Sequence, residues 1–296
     1  MPHTTGRVQC RVKFDQDENN FVAMNSEDDK KTTCLTIIRG MMAENVKLKP
    51  IMQFWPEKLL LTLIRTYDSN HSSVLDVVNC LQTCITETYP ELFGLINLSK
   101  LRPVLDKKLF SLVKHASPKN PGILMFKFKN WKPSDVSPDQ LTAVATVYYH
   151  QLGRNSKDIQ KNGILVLLDA EGLGFSHVRQ MSHNFVKKVL YCNVYTSPVR
   201  VIGYVVYNSS FLMEKIYNVL KHAVPERSRK DVYILRKDLT QLHEMVPDKQ
   251  FLPTCVGGEV PNDVAFQEDA EIAALEDLTM QNLVTDLQRE YGLGKK

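Results

Sequence analysis

Gly163-Ile164-Leu165-Val166-Leu167-Leu168-Asp169-Ala170-Glu171-Gly172 is the stretch that decides the fold. An unbroken apolar run from Ile164 to Leu168 stands between a glycine and an Asp-x-Glu-Gly turn. A strand buried on both faces reads this way, and the run is too short for a helix. Asp169 and Glu171 fall where such a strand leaves its sheet, and Ser176 reads as the cap of a following helix. In an open α/β sheet, ligands bind near this carboxyl end.

The flanks of that strand alternate in type. Residues 122 to 128 read as a strand, residues 131 to 135 as a turn, and residues 138 to 153 as a helix opened by Pro138. After the central strand come a helix from Ser176 to Asn193, a β-branched run from Val199 to Tyr207, and an amphipathic helix from Ser210 to Val224. A short strand from Lys230 to Leu235 and a short helix through Leu242 follow. Strands alternating with helices predict an α/β fold with a largely parallel sheet and right-handed crossovers.

Toward the amino terminus the pattern is helical. Leu60, Leu63 and Ile64 form one apolar stripe; Leu75, Val78, Leu81, Cys84 and Ile85 form another, with Asp68-Ser69-Asn70 between them. Val8, Cys10, Val12 and Phe14 alternate weakly as a strand, and residues 15 to 33 read as a polar linker. Beyond Pro261 an acidic segment leads to Leu275, Leu278, Leu283 and Leu287, spaced for a helix. The expected organisation is a partly flexible leader (1–45), a helical domain (46–105), an α/β domain (106–262) and a helical tail (263–296).

Composition excludes several classes. With 43% hydrophobic and 24% charged residues the chain is ordinary globular material. A net charge of +4, without interleaved aromatics, does not describe a nucleic-acid binder. The opening residues carry Arg7, Arg11, Lys13, Asp15 and Asp17 and no apolar run, so no secretory signal is expected. No run approaches the roughly 18 apolar residues of a membrane span. Cys10, Cys34, Cys80, Cys84, Cys192 and Cys255 are dispersed without zinc spacing, which predicts reduced thiols, a cytoplasmic setting and no bound metal.

An enzyme would be built on Asp169, Glu171, Ser176 and His177. Neighbours on a helix point about 100° apart, so Ser176 and His177 do not face each other. No Gly-x-Ser-x-Gly elbow is present, and Gly172-Leu173-Gly174 lacks the third glycine of a dinucleotide loop. No nucleophile, base and orienting group assemble, so no catalytic residue is expected. The two carboxylates suit the fastening of a turn; an α/β enzyme using them remains the alternative from another class.

Helix 210–224 places Met213, Ile216, Leu220 and Val224 on one face. Packing on the sheet is the ordinary role of such a face. Helix 138–153 carries Thr146 and His150 on its apolar side, either as satisfied core groups or as handles for the polar end of a buried ligand. Around these elements cluster Lys187, Lys188, Arg200, Lys215, Lys221, Arg227, Arg229, Lys230, Arg236 and Lys237. Charge clusters are usually solvated surface, but one beside an apolar helix also suits an anionic membrane.

These residues resemble a family. Asn162 through Gly172 with Ser176-His177 is similar to the central motif of CRAL-TRIO lipid-binding proteins. Pro198-Val199-Arg200-Val201-Ile202 with Tyr207-Asn208 resembles the next strand and its turn, and Leu252-Pro253 with Gly257-Gly258 resembles the family's ending. Tyr89-Pro90-Glu91-Leu92-Phe93 and Trp131-Lys132-Pro133 agree upstream. The resemblance spans about residues 46 to 260. Within the family it points to the α-tocopherol-transfer and retinaldehyde-binding branch, particularly its insect members.

That resemblance implies a sheet-floored apolar pocket closed by a gate helix at residues 210 to 224. It assigns ligand contacts to Thr146, His150, Ile164, Val166, Leu168, Val189, Cys192, Asn193, Tyr204, Met213, Ile216, Leu220 and Val224. It assigns phosphoinositide or membrane contacts to Arg65, Arg200 and Arg227, with Arg229 and Lys230 as substitutes where Ile202 and Asp231 replace basic family positions. It implies a monomeric cytoplasmic carrier of a small hydrophobic ligand, such as a tocopherol-, retinoid- or other isoprenoid-like lipid, that visits anionic membranes transiently. It implies no cofactor and no nucleic-acid partner. Phospholipid or phosphoinositide exchange in the same fold is the runner-up, and a filled-in interaction scaffold is a third reading. Cys255-Val256 replaces the usual Glu-Tyr before Gly-Gly, and Ser210 stands where the family has a proline after the Asn turn.

Overall fold

The computed structural model describes residues 27–114, 117–266 and 278–293. The alternating segment from Val8 to Phe14, and Leu275, lie outside them. The strand expected from residue 164 is β3 of a five-stranded sheet: β1 (Phe110–Leu112), β2 (Gly122–Lys127), β3 (Ile164–Asp169), β4 (Val201–Tyr207) and β5 (Val232–Ile234), side by side in that order. β2 to β5 are parallel and β1 joins antiparallel at one edge. Being in the middle, β3 is covered on both faces, which is why its sequence shows no polar alternation. Val166 is registered with Leu124 on β2 and Tyr204 on β4. Ile164 and Val166 enter one apolar cluster, whereas Leu165 and Leu167 enter a second with Val205, Tyr207, Leu242 and Val246.

Entry into β3 depends on Gly163. Its φ is +80°, and an added Cβ would stand 2.7 Å from the Arg200 carbonyl oxygen, so any side chain would push β3 and β4 apart.

The helices are α1 (Glu27–Glu44), α2 (Glu57–Thr66), α3 (His71–Thr83), α4 (Pro90–Phe93), α5 (Leu98–Leu105), α6 (Pro138–Asn155), α7 (Lys157–Asn162), α8 (Phe175–Val178), α9 (His183–Leu190), α10 (Phe211–Leu220), α11 (Glu226–Arg229) and α12 (Thr240–Met245). A helix at Thr279–Glu290 follows. α6 opens with a full capping box, Ser137 and Gln140 bonding each other's backbone N–H across Pro138.

Three expectations require correction. Residues 27–33, read as linker, begin α1, which buries Cys34, Ile38 and Met42 in the cluster shared by α2, α3 and the sheet. The single helix expected from 176 to 193 is two. α8 follows Gly174 rather than a Ser176 cap, and α9 is capped by Ser182, whose Oγ accepts from Phe185 N–H at 3.1 Å. Leu278, assigned to the stripe of the final helix, is exposed; Met280, Leu283, Val284 and Leu287 are its buried face. Among the described residues no helix is long and apolar enough to cross a membrane.

Candidate functional site

The face of β2, β3 and β4 that carries Phe126, Val166 and Tyr204 does not pack solidly against the helices above it. A cavity of about 260 Å³ remains. Phe126, Val166, Leu168, Val201, Tyr204 and Val206 come from the sheet; Leu141, Ala145 and Tyr149 from α6; Phe185, Val186, Val189 and Leu190 from α9. Met213, Tyr217 and Leu220 of α10 close it, with Val224, Ser228, Asp231 and Val232 from the segment leading into β5. Phe128 and Trp131 form one end, the indole N–H donating to the Val136 carbonyl at 2.9 Å. The cavity lies against a sheet face. The carboxyl edge marked by Asp169 and Glu171, expected to adjoin the ligand, is not part of its wall.

Those carboxylates have structural duties. Asp169 is buried, and its Oδ1 accepts from Glu171 N–H at 3.1 Å and Asn208 Nδ2 at 2.9 Å. Glu171 pairs with Lys129 at 2.7 Å on the surface. His177 uses both ring nitrogens: Nδ1 accepts from Gly174 N–H at 2.9 Å and Nε2 donates to the Trp131 carbonyl at 2.7 Å. Among the described residues no group of three His, Cys, Asp or Glu is placed to hold a metal.

Polar atoms on the wall are few. Tyr149 and Tyr204 meet hydroxyl to hydroxyl at 3.4 Å. Burial pushes the Tyr204 phenol up to about 12 and raises that of Tyr149 well above its ordinary value, so both stay protonated at neutral pH. Asn193 is buried with its Oδ1 2.7 Å from the Thr146 hydroxyl.

Of the residues assigned to ligand contact, Val166, Leu168, Val189, Asn193, Tyr204, Met213, Leu220 and Val224 meet on this wall. Thr146, His150, Ile164 and Cys192 are buried but are not among its lining residues; Thr146 reaches it through Asn193. Ile216 instead packs with Ala170, Val206 and Met213. Sequence reasoning missed Phe126, Trp131, Leu141, Ala145, Tyr149, Phe185 and Tyr217. Helical spacing could have found part of this set, since Leu141, Ala145 and Tyr149 form the stripe one residue before Thr142, Thr146 and His150. Tyr217 likewise follows Met213 by one turn.

The outer face of α10 is also apolar in part. Phe211 and Val219 are 64% and 61% exposed, and the Lys215 ammonium sits 4.6 Å from the centre of the Phe211 ring. Of the basic residues assigned to phosphate contact, Arg229 and Arg200 donate to backbone carbonyls. Arg229 Nε donates to the carbonyls of Lys221 and Val224 at 2.9 and 3.0 Å, satisfying the orphan carbonyls after α10. Arg200 is exposed and donates to the Lys161 carbonyl at 2.7 Å. Arg65 is half-buried near the end of α2, beside Thr66, whose hydroxyl bonds the Pro198 carbonyl at 2.7 Å. Lys230 is exposed, and the side chain of Arg227 lies outside the described residues.

The chain is similar in sequence to known proteins along much of its length. The CRAL/TRIO domain model matches residues 106–258. Alpha-tocopherol transfer protein-like of Mus musculus is 23% identical over 228 residues, covering 76% of this chain and 65% of that protein. Its Homo sapiens counterpart is 24% identical over 204 residues, covering 68% and 58% respectively. The chain thus spans less than two thirds of the length of these relatives. Clavesin-1 of Rattus norvegicus is 22% identical over 104 residues, covering 35% of this chain and 29% of that protein. A crystal structure of Sfh5 aligns with 76% of this chain and 86% of its own, with a TM-score of 0.38 and 13% identity.

Proposed function

The chain belongs to the CRAL/TRIO family, and from that premise we propose that it binds one small hydrophobic molecule and transfers it between membranes. The observation that carries this reading is the apolar cavity between the sheet and α6, α9 and α10. Apolar burial at about 25 cal/mol per Å² would give on the order of 10 kcal/mol for a ligand burying about 400 Å², before entropic costs. Binding of useful strength therefore needs no covalent or catalytic step. A tocopherol-, retinoid- or isoprenoid-like ligand suits the wall, and the mouse and human relatives are named for their likeness to alpha-tocopherol transfer protein. At about 260 Å³ the cavity lies just below the roughly 300–1,000 Å³ common for ligand sites, which favours a compact ligand over a two-chain phospholipid.

In this reading the carrier works as a cytoplasmic monomer and docks through α10. The exposed stripe of Phe211, Lys215 and Val219 combines apolar anchors with a cation, the combination an anionic interface attracts. Phosphoinositide headgroups reaching Arg200 and Arg227 would assist release. Each basic residue near such a surface supplies about 1 kcal/mol, so removing two weakens attachment by one to two orders of magnitude. The test is transfer of retinol from loaded protein into phosphatidylserine vesicles. Arg200→Ala/Arg227→Ala should transfer more slowly and with less salt sensitivity than wild type, at unchanged affinity in solution. Equal rates for the two proteins would remove the electrostatic part of the mechanism. Failure of wild type to transfer at all would remove the carrier reading.

A further inference from the structure

Two hydroxyls face each other on an otherwise apolar wall, and their protons do not balance. Tyr149 comes from α6 and Tyr204 from the middle of β4, beside Val166 on β3. Each phenol brings one donor proton. The contact between them, 3.4 Å long, consumes one. Among the described residues neither oxygen has another hydrogen bond, so one O–H is left over, and a buried donor without an acceptor is costly.

Among the described residues no hydrogen bond joins either phenol to the other polar side chains on the wall, those of Thr142, Asn193, Tyr217 and Ser228. The Thr142 hydroxyl donates to the Pro138 carbonyl at 2.8 Å, and the Asn193 amide oxygen is held by Thr146. Among the described residues the wall carries no Lys, Arg or His, and the Asp231 backbone carbonyl is taken by the Tyr204 N–H at 2.8 Å. A negatively charged ligand would thus enter a space with no cation on its wall to compensate.

Resting on the carrier reading, we propose that the Tyr149–Tyr204 pair is the polar recognition point of the cavity, selecting a neutral apolar ligand that carries an acceptor oxygen. The ligand class is a ketone, aldehyde, ester or alcohol on a hydrocarbon body, and free fatty acids are excluded. The oxygen accepts the spare O–H, while Phe126, Val166, Leu168 and their neighbours cover the rest of the molecule. Because both phenols stay protonated, the donor is present throughout the physiological range.

The test uses the full chain loaded with the neutral fluorophore N-phenyl-1-naphthylamine, displaced in turn by 2-tridecanone, n-tridecane and tridecanoate. The ratio of ketone to alkane affinity is measured in wild type and in Tyr149→Phe/Tyr204→Phe, so that transfer of each probe out of water cancels between the proteins. Loss of one such hydrogen bond should lower that ratio roughly 3- to 10-fold. Fluorophore affinity is measured in each protein and cancels from the ratio, because both probes displace the same fluorophore. Tyr204→Phe alone should keep most of the preference, since the freed Tyr149 hydroxyl can donate to the ketone. Tridecanoate should displace poorly in either protein. An unchanged ketone-to-alkane ratio in the double variant overturns the proposal, as does displacement by tridecanoate equal to that by the ketone. If the wild-type chain binds neither fluorophore nor alkane, the carrier reading itself fails. Binding of both without ketone preference sinks only this inference.

Discussion

Asp169 Oδ1 accepts a 2.9 Å hydrogen bond from Asn208 Nδ2, and this contact ties together the exits of β3 and β4. Asn208 holds a φ of +51°, a left-handed conformation asparagine tolerates better than most residues. The carboxylate also accepts from the Glu171 backbone, so one buried group fixes two turns. Asp169→Asn keeps one oxygen that can accept both bonds, but removes the charge that strengthens them and puts an amide donor in the place of Oδ2. A stability loss of about 1–3 kcal/mol is expected in denaturant titration, accompanied by weaker ligand retention. A variant that stays folded and loaded, yet loses some measured turnover, would restore the enzyme alternative.

Val166 lines the cavity and its neighbour Leu165 faces the opposite cluster. Val166→Trp should fill the space and abolish binding of N-phenyl-1-naphthylamine with a stability change of about 1–3 kcal/mol. Leu165→Trp should destabilise the fold through the other core without selectively blocking binding. Identical behaviour of the two variants would mean that the two faces of β3 are not distinct in function.

The gate helix is tethered twice. Glu214 on α10 pairs with Arg236 beyond β5 at 2.8 Å, and Arg229 holds the carbonyls of Lys221 and Val224. The ion pair is solvent-exposed, so it is worth only about 0.2–1 kcal/mol. Glu214→Gln should therefore speed ligand exchange up to about fivefold, with the effect fading as salt is raised. Arg229→Ala removes two hydrogen bonds at the end of the gate and should speed exchange further, with little salt dependence. Stopped-flow release of the naphthylamine measures both. Equal salt dependence for the two variants would contradict the division of labour.

Alkali should unfold the protein through its buried phenols. A phenol whose pKa is raised by folding favours the folded state below its unfolded value of about 10. That stabilisation is lost as pH climbs from there through the folded value, about 12 for Tyr204. Wild type should lose stability steeply across this window, and Tyr149→Phe/Tyr204→Phe should lose less. A flat profile above pH 10 would show that these hydroxyls are not buried in solution.

How much was legible in the sequence depended on whether a polar face existed to mark orientation. β3 announced itself because a central strand is apolar throughout, and its period of two separated Val166 and Leu168 from Leu165 and Leu167. α10 was legible because water covers one side of it. α6 is buried almost all round, so nothing polar distinguishes the stripe of Leu141, Ala145 and Tyr149 from that of Thr142, Thr146 and His150. The rotation separating them is set by packing against α4, α5 and α9. β1 is three residues long and too short to show a period. The charge of Arg229 is visible in sequence, whereas its hydrogen bonds to the carbonyls of Lys221 and Val224 depend on how the chain turns after α10.

The central claim is that one neutral hydrophobic molecule occupies the space between Val166, Tyr149 and Met213. Native mass spectrometry of the purified chain, followed by organic extraction and identification of what is released, tests this most directly. The account predicts a mass excess of one small neutral lipid per chain, present in wild type and absent in Val166→Trp. Wild-type protein that emerges without a bound molecule, and that takes up none when offered retinol or 2-tridecanone, would contradict it.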